Sequence, residues 1–221
     1  MRRFATSLGS LALALTVGAS AATAQTAYSS RAAFEAALSS FTVEGFEGIA
    51  PPGGFVDFVM GPFTAGPFTI STTNPTSELF VIDDAFAGGA FSLGSGDTFS
   101  PQLFGAGSND VDVTTGSPIK AFGFDFGVAQ APTTFSLFLD GTFFQSFSYT
   151  GTLPSPDFFG VISSTPFTTV TIHADSDVPI YDNFTVGTPN VSPVPEPATV
   201  ALVGGGLLLL GAAARRRTQT T

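Results

Sequence analysis

Two carboxylate side chains fall on strand faces that the sequence predicts to be buried. Glu47 shares a predicted face with the apolar residues at 41, 43 and 49, and Asp182 shares one with those at 180, 184 and 186. A buried carboxylate is costly unless it is hydrogen-bonded, paired or bound to a metal. We therefore predict that Glu47 and Asp182 hold Ca²⁺ together with backbone carbonyls, because this ion takes oxygen ligands. In the alternative interpretation, each carboxylate accepts backbone N–H groups at a strand end or turn.

The presence of one histidine and the absence of cysteine restrict the catalytic chemistry of the chain. A Ser–His–Asp site would need His173 beside a serine and an orienting carboxylate. Alternation instead places His173 with Thr169 and Thr171 on the solvent side of a strand. Paired carboxylates for glycoside hydrolysis stay open, although no motif singles out a pair. We predict no catalytic residue and no cofactor other than Ca²⁺, since the sequence has neither a phosphate-binding glycine loop nor a His/Cys metal spacing.

Three acidic clusters lie in segments that the sequence predicts to be turns. They resemble parts of calcium-binding loops, but none has the complete pattern that ends in glutamate. We interpret them as solvated turns. The clusters are Asp83-Asp84, Asn109-Asp110-Val111-Asp112 and Asp175-Ser176-Asp177.

The elements that carry these side chains are predicted to be one short helix followed by strands. Ser29-Ser30 caps a helix from Arg31 to Leu38, and Asp140-Gly141 makes the tight turn of a hairpin because glycine tolerates positive φ. Short strands at close spacing favour an antiparallel all-β sandwich with one N-terminal helix. The strands are predicted at residues 41–49, 66–71, 78–82, 120–128, 134–139, 142–149, 158–163, 168–173 and 179–186.

Acidic and phenylalanine residues dominate the composition of the predicted domain. Of the 17 acids in the chain, 16 precede Glu196 and lie in the predicted domain. The basic residues of that domain are Arg31 and Lys120, so its charge is 2 − 16 = −14. Such a surface repels nucleic acid and anionic membranes, and it favours divalent cations, cationic partners or simple solubility. The chain has 25 phenylalanines and no cysteine, so aromatic burial must hold the core together without disulfides.

The N-terminus has the pattern of a secretory signal peptide. Arg2-Arg3 precedes a short apolar run at residues 8–17, and Ala22 and Ala24 supply a small-residue cleavage site. The mature chain is therefore predicted to begin at Gln25.

The C-terminus has the pattern of a membrane-associated sorting signal. Val194-Pro195-Glu196-Pro197 precedes an uncharged apolar run at 198–214, which ends in Arg215-Arg216-Arg217. The run is long enough for a short spanning helix, which needs about 17–25 residues, and arginine favours the cytoplasmic side. This order of motifs resembles the PEP-CTERM sorting signal, which is also catalogued as an ice-binding-protein C-terminal domain. The resemblance implies processing near Pro-Glu-Pro by a membrane-embedded exosortase; the alternative is a retained membrane anchor.

Motifs throughout the middle of the chain resemble the jelly-roll-like β-sandwich domains found upstream of such sorting tails. The resemblance implies a lectin-like or carbohydrate-binding-module-like scaffold, on which many functions occur. The motifs are Ser30-Arg31-Ala32-Ala33-Phe34, Phe46-Glu47-Gly48, Phe122-Gly123-Phe124-Asp125-Phe126-Gly127, Asp140-Gly141, Phe159-Gly160-Val161-Ile162-Ser163 and Tyr181-Asp182-Asn183-Phe184.

These observations predict an exported, non-catalytic protein of the cell surface or extracellular matrix that binds polysaccharide. Its expected partners are the secretion translocon, signal peptidase, an exosortase-type protease and extracellular polysaccharide, but not nucleic acid. Tyr28, Tyr149, Tyr181 and exposed phenylalanines are the candidate stacking platforms, since tryptophan is absent. A secreted carboxylate-dependent hydrolase and a purely structural envelope protein are the alternatives. The predicted organisation is a signal peptide at 1–24, a β-sandwich at 25–187, a linker at 188–193 and a sorting signal at 194–217 with a transmembrane segment at 198–214.

Overall fold

The computed structural model describes residues 25–58, 62–72, 78–94, 96–101, 109–129, 133–175 and 178–190. The predicted signal peptide with Ala22 and Ala24, the sorting signal with its membrane segment, and Asp177 lie outside the described residues. Within those ranges, no helix combines the length and the apolar character needed to cross a membrane.

The described residues form an antiparallel all-β structure, as the sequence predicts, with one α-helix and one 3₁₀ turn. The helix α1 spans Arg31–Ala36, and the 3₁₀ turn spans Phe86–Gly88. The strands are β1 (Gln25–Tyr28), β2 (Leu38–Glu44), β3 (Phe55–Asp57), β4 (Phe63–Ala65), β5 (Phe68–Thr72), β6 (Phe80–Ile82), β7 (Thr98–Ser100), β8 (Asn109–Val128), β9 (Thr133–Leu139), β10 (Thr142–Tyr149), β11 (Asp157–Ala174) and β12 (Pro179–Pro189).

Two long strands divide the sheet into two layers. β8 changes direction near Gly116-Ser117-Pro118 and β11 near Pro166, where the ladder between the two strands shifts register. The front sheet, as we call the first layer, has the strand order β10-β9-β11-β8-β5-β4 and uses the C-terminal half of β11 and the N-terminal half of β8. The back sheet has the order β1-β11-β8-β12-β2 and uses the other halves. Strands β7, β6 and β3 extend from β12.

The inner faces of the two sheets meet through phenylalanine side chains. Phe147 of the front sheet stacks on Phe159 of the back sheet, with 4.1 Å between ring centroids. Phe68 of the front sheet meets Phe184 of the back sheet edge-on at 5.8 Å. The alternating phenylalanines of segment 120–128 are all buried, so their predicted shared face is confirmed. Aromatic packing between the layers therefore provides the core of a domain that has no cysteine.

The segment 41–49 differs from its predicted strand because β2 ends at Glu44. The Glu44 carboxylate accepts a hydrogen bond from the backbone N–H of Phe46 at 2.9 Å, and Phe46 adopts φ 60°, so the chain turns there. Phe46 becomes fully buried, whereas Phe41 on the edge strand β2 is 46% exposed. Glu47 consequently lies in an exposed turn, and the prediction that it occupies a buried strand face was wrong. The positive φ of Phe46 therefore changes which residues of this segment face the core.

The two ends of the described domain pack against each other. Ser30 caps α1 as predicted, but the helix ends two residues early because Leu38 enters β2. β12 runs to Pro189, beyond the predicted domain boundary at Gly187, and pairs with Leu38. The Asn190 backbone N–H then donates to the Ala37 carbonyl oxygen at 2.8 Å. The first residues of the predicted linker therefore belong to the folded structure.

Candidate functional site

Asp182 is a buried acid in the back sheet, with only 1% of the residue exposed. Its carboxylate accepts hydrogen bonds from the Asn183 backbone N–H at 2.6 Å and from the Asn183 side-chain amide at 3.1 Å. Burial, with the repulsion of Asp125 and Glu47, raises the pKa of Asp182 to about 8, although the Asn183 backbone bond and Arg31 act in the opposite direction. Asp182 is therefore mostly protonated at neutral pH, which lowers the cost of burying it.

Arg31 fixes the helix to the back sheet beside Asp182. Its guanidinium makes a bidentate contact with the Asp125 carboxylate, with Nε 3.2 Å from Oδ1 and Nη2 3.1 Å from Oδ2. It also donates to the Thr185 hydroxyl and to the Asn183 carbonyl oxygen, both at 2.9 Å. The Arg31 guanidinium is therefore paired with Asp125, and it does not form an ion pair with Asp182.

The predicted calcium ligands are brought into the same region by the fold. The Glu47 carboxylate lies against Gly96, where any side chain would overlap it, and its charge contributes to the raised pKa of Asp182. Asp182 accepts one backbone N–H bond, the kind that the alternative interpretation expects, and a second bond from the Asn183 side-chain amide. Across the part of the chain that the structure describes, no group of three or more His, Cys, Asp or Glu side chains is arranged to hold a metal ion. A calcium site at Glu47 and Asp182 stays a prediction.

The outer face of the front sheet carries side chains in three rows that cross the strands in direct register. None of these side chains is buried, and we call this surface the front face. The rows are Phe143–Phe138–Thr171–Asp112–Ser71, Ser146–Ser136–His173–Asp110 and Thr169–Thr114–Thr69–Thr64.

The front face combines an aromatic pair with a shallow depression. Phe143 is 56% exposed and meets Phe138 edge-on, with 5.6 Å between ring centroids. The depression has a volume of about 350 Å³ and is lined by Asp110, Ser136, Phe138, Gly141, Thr171 and His173. An aromatic wall beside hydroxyl and carboxylate groups can bind a ligand that has both an apolar face and polar edges.

A second, larger depression lies at the ends of β2 and β12. Its volume is about 490 Å³, and its lining includes Phe41, Ile119, Lys120 and several prolines. Lys120 is its only charged lining group, and no carboxylate or imidazole lines it, whereas the front-face depression combines Phe138 with Asp110, His173 and two hydroxyl groups. We therefore take the front face as the candidate binding surface.

His173 holds the centre of the front face as a bridge between two carboxylates. Its Nδ1 is 2.5 Å from Asp110 Oδ1, and its Nε2 is 3.0 Å from Asp175 Oδ1. A neutral imidazole has one N–H and cannot donate to two ionised carboxylates, so this geometry favours the imidazolium. Burial opposes the charge, but the hydrogen bonds that His173 donates to Asp110 and Asp175, with the negative charges of these carboxylates, outweigh it and raise the pKa of His173. Alternation had placed His173 on the solvent side, and the structure confirms this.

The predicted tyrosine platforms are mostly unsuitable for stacking on a ligand. Tyr149 and Tyr181 are fully buried, so predicting them as platforms was wrong. Tyr28 is partly exposed and packs edge-on against Phe34. No sequence motif distinguishes Phe138 from the other phenylalanines, although alternation in segment 134–139 already separates it from the inward-facing residues.

Comparison with protein families matches residues 193–217 to the PEP-CTERM protein-sorting motif. The match includes Val194, Pro195, Glu196 and Pro197 as well as Arg215–Arg217, and it confirms the resemblance noted in the sequence. The chain is therefore an exported protein with a sorting signal of the kind that exosortase processes.

Among solved structures, the chain is similar to several β-sandwich carbohydrate-binding modules. The CBM22-1 xylan-binding domain of Paenibacillus barcinonensis Xyn10C has 10% identity and a TM-score of 0.36, over 65% of this chain and 99% of that one. The CBM29-2 module has 13% identity and a TM-score of 0.33, over 72% and 99%. The catalytic domain of a GH87 alpha-1,3-glucanase has 16% identity and a TM-score of 0.35, over 71% of this chain but only 29% of the glucanase chain. Likeness at this level does not identify a ligand.

A search of curated protein sequences found no match to this chain.

Proposed function

We propose that the β-sandwich of this exported protein is a non-catalytic domain that binds polysaccharide on its front face. The observation that carries the proposal is the row in which the exposed ring of Phe143 and the partly exposed ring of Phe138 continue into Thr171 and Asp112. Sugar rings present apolar C–H faces and hydroxyl edges, which suit an aromatic pair flanked by hydroxyl and carboxylate groups.

The arrangement around His173 supports binding without catalysis. A general base needs a free ring nitrogen within hydrogen-bond reach of the nucleophile. Both ring nitrogens of His173 are occupied by Asp110 and Asp175. Ser136 lies opposite His173 in the ladder, but its hydroxyl bonds to Ser146 at 2.9 Å.

Replacing Phe138 and Phe143 together by alanine is expected to weaken polysaccharide binding by at least about tenfold, because burial of one phenylalanine contributes about 1.5–3 kcal/mol. Binding of the full-length protein in mild detergent to a panel of neutral, acidic and amino polysaccharides measures this. Phe41→Ala is the matched control, since Phe41 is 46% exposed on the back sheet. No binding by the wild type, equal losses in both variants, or hydrolysis of a bound polymer would contradict the proposal.

We further propose that the mature protein reaches the cell surface or matrix after both ends are cut. The Ala22 and Ala24 pattern, and the matched motif with Pro195-Glu196-Pro197, support this. The expected product begins at Gln25 and ends near Pro197, which mass spectrometry of protein from the cell surface and the medium measures. A product that still ends in Arg215-Arg216-Arg217 would instead indicate a retained anchor.

A further inference from the structure

We propose that the polysaccharide bound on the front face carries positively charged amino groups, as deacetylated amino sugars do. This inference rests on the proposed function and names its ligand class. The aromatic pair and the depression provide the binding position, and the surrounding carboxylates favour a ligand with positive charge. An ammonium group is attracted to both the face of a phenyl ring and a carboxylate, so a site with both favours it over a neutral hydroxyl.

Three carboxylates lie on the same face of the sheet as the aromatic wall of the depression. Asp110 lines the depression together with Phe138, and its side chain is 40% exposed. Asp112 stands two residues along β8, in the row of Phe138, and accepts a hydrogen bond from the Thr171 hydroxyl. The side chain of Asp175 is 62% exposed beside His173. A ligand in the depression therefore meets carboxylate oxygens that water still reaches.

The cationic groups of the described domain are placed away from a bound ligand. Arg31 lies on α1 and is bonded to Asp125 of the back sheet. Lys120 belongs to the part of β8 that lines the other depression. On the front face, His173 lies between Asp110 and Asp175, and together with Asp112 these three carboxylates outnumber its single positive charge. A polymer bearing carboxylate or sulfate groups would find no free cation there and would be repelled by a domain of charge −14, from 2 basic and 16 acidic residues.

The shape of the site agrees with one charged sugar unit of a longer chain. The depression of about 350 Å³ lies at the small end of ligand pockets, and the threonine row lies on the same face of the sheet. Polymer units on either side would lie across the hydroxyl groups, while one amino-bearing unit would contact Phe138 and Asp110.

Chitosan oligosaccharides provide the test, because acetylation removes the charge from the same backbone. We expect the full-length protein in mild detergent at pH 5.5 to bind the deacetylated oligosaccharide at least about tenfold more tightly than the fully acetylated one. The preference should shrink as salt is added, since exposed charges are screened. Asp112→Asn, and Asp110→Asn with Asp112→Asn, should reduce it several-fold, whereas Asp84→Asn removes one exposed charge elsewhere and should leave it unchanged.

The outcomes separate this inference from the proposed function. Equal binding of both oligosaccharides, or preference for an acidic polymer, overturns the amino-sugar inference. The proposed function survives if Phe138→Ala with Phe143→Ala still weakens binding by at least about tenfold. If no polysaccharide binds, both fail. Wild-type salt dependence and acetylation preference need no variant, so a misfolded Asp110→Asn protein would not prevent a decision. A preference that Asp84→Asn reduces equally would indicate nonspecific charge attraction and would also overturn the inference.

Discussion

Phe184→Ala is expected to lower the free energy of unfolding by about 4 kcal/mol, within the range for a buried phenylalanine. Phe184 is fully buried in β12 and joins the back sheet to the front sheet and to β7. Its ring contacts six other aromatic rings, with centroid distances from 5.3 to 6.3 Å, and alanine would leave a cavity among them. Denaturant unfolding monitored by circular dichroism measures the change.

Phe41→Ala is the control for this prediction, because Phe41 is 46% exposed. It should change the free energy of unfolding by less than about 1 kcal/mol. A loss at Phe184 no larger than the loss at Phe41 would show that the aromatic cluster between the sheets does not stabilise the domain as we describe.

The domain is expected to lose stability as pH rises from about 4 to about 8, because of Asp182. In the folded protein its pKa is raised to about 8, mainly by burial, from the ordinary value of 3.8. Between these pH values the unfolded chain has released the proton of Asp182 while the folded protein keeps it, so ionisation favours unfolding. Below both values the effect is absent, and above both it is complete. One pKa unit corresponds to about 1.4 kcal/mol, so the total loss is on the order of 5 kcal/mol.

Asp182→Asn should remove most of this pH dependence, because an amide does not ionise. The free energy of unfolding, measured in denaturant at a series of pH values, should fall for the wild type and stay flatter for the variant. His173, with its raised pKa, also loses stabilisation as pH rises, so His173→Gln is a useful comparison. If the wild-type and Asp182→Asn curves remain parallel, Asp182 is not the group responsible.

Thermal unfolding at two pH values tests the calcium prediction. An ion between Glu47 and Asp182 would hold Asp182 ionised, so Ca²⁺ should raise the melting temperature more at pH 8 than at pH 5. EDTA should reverse the shift, and Glu47→Gln should abolish it. A melting temperature that is the same with Ca²⁺ and with EDTA at both pH values would remove the metal prediction.

Local patterns predicted the strands whose periodicity is uninterrupted. The segment 120–128, the hairpin at Asp140-Gly141 and the side-chain orientation of segment 168–173 all agree with the structure. Segment 41–49 did not agree, because a hydrogen bond from the Phe46 backbone N–H to the Glu44 carboxylate and the positive φ of Phe46 interrupt the period. A carboxylate and a turn residue within a short apolar run carry too little local signal to mark that break.

The polar contacts around the candidate site join residues that are far apart in the sequence. Local sequence patterns do not predict such contacts. Arg31 meets Asp125 across 94 positions, and His173 meets Asp110 across 63. Phe138 was visible as an outward residue, but only the ladder places it beside Thr171 and in the same row as Asp112. Strand register depends on packing across the whole core, which no short segment contains.

By itself, the sequence determined the export of this protein and the all-β character of its domain. The sorting motif is read from contiguous residues at 193–217, and strand propensity follows from the local alternation of apolar and polar side chains. Only the tertiary structure decided which polar residues share a surface. The bends in β8 and β11 assign each half of these strands to a different sheet, so the front face and the buried network at Asp182 arise from packing that no local pattern encodes.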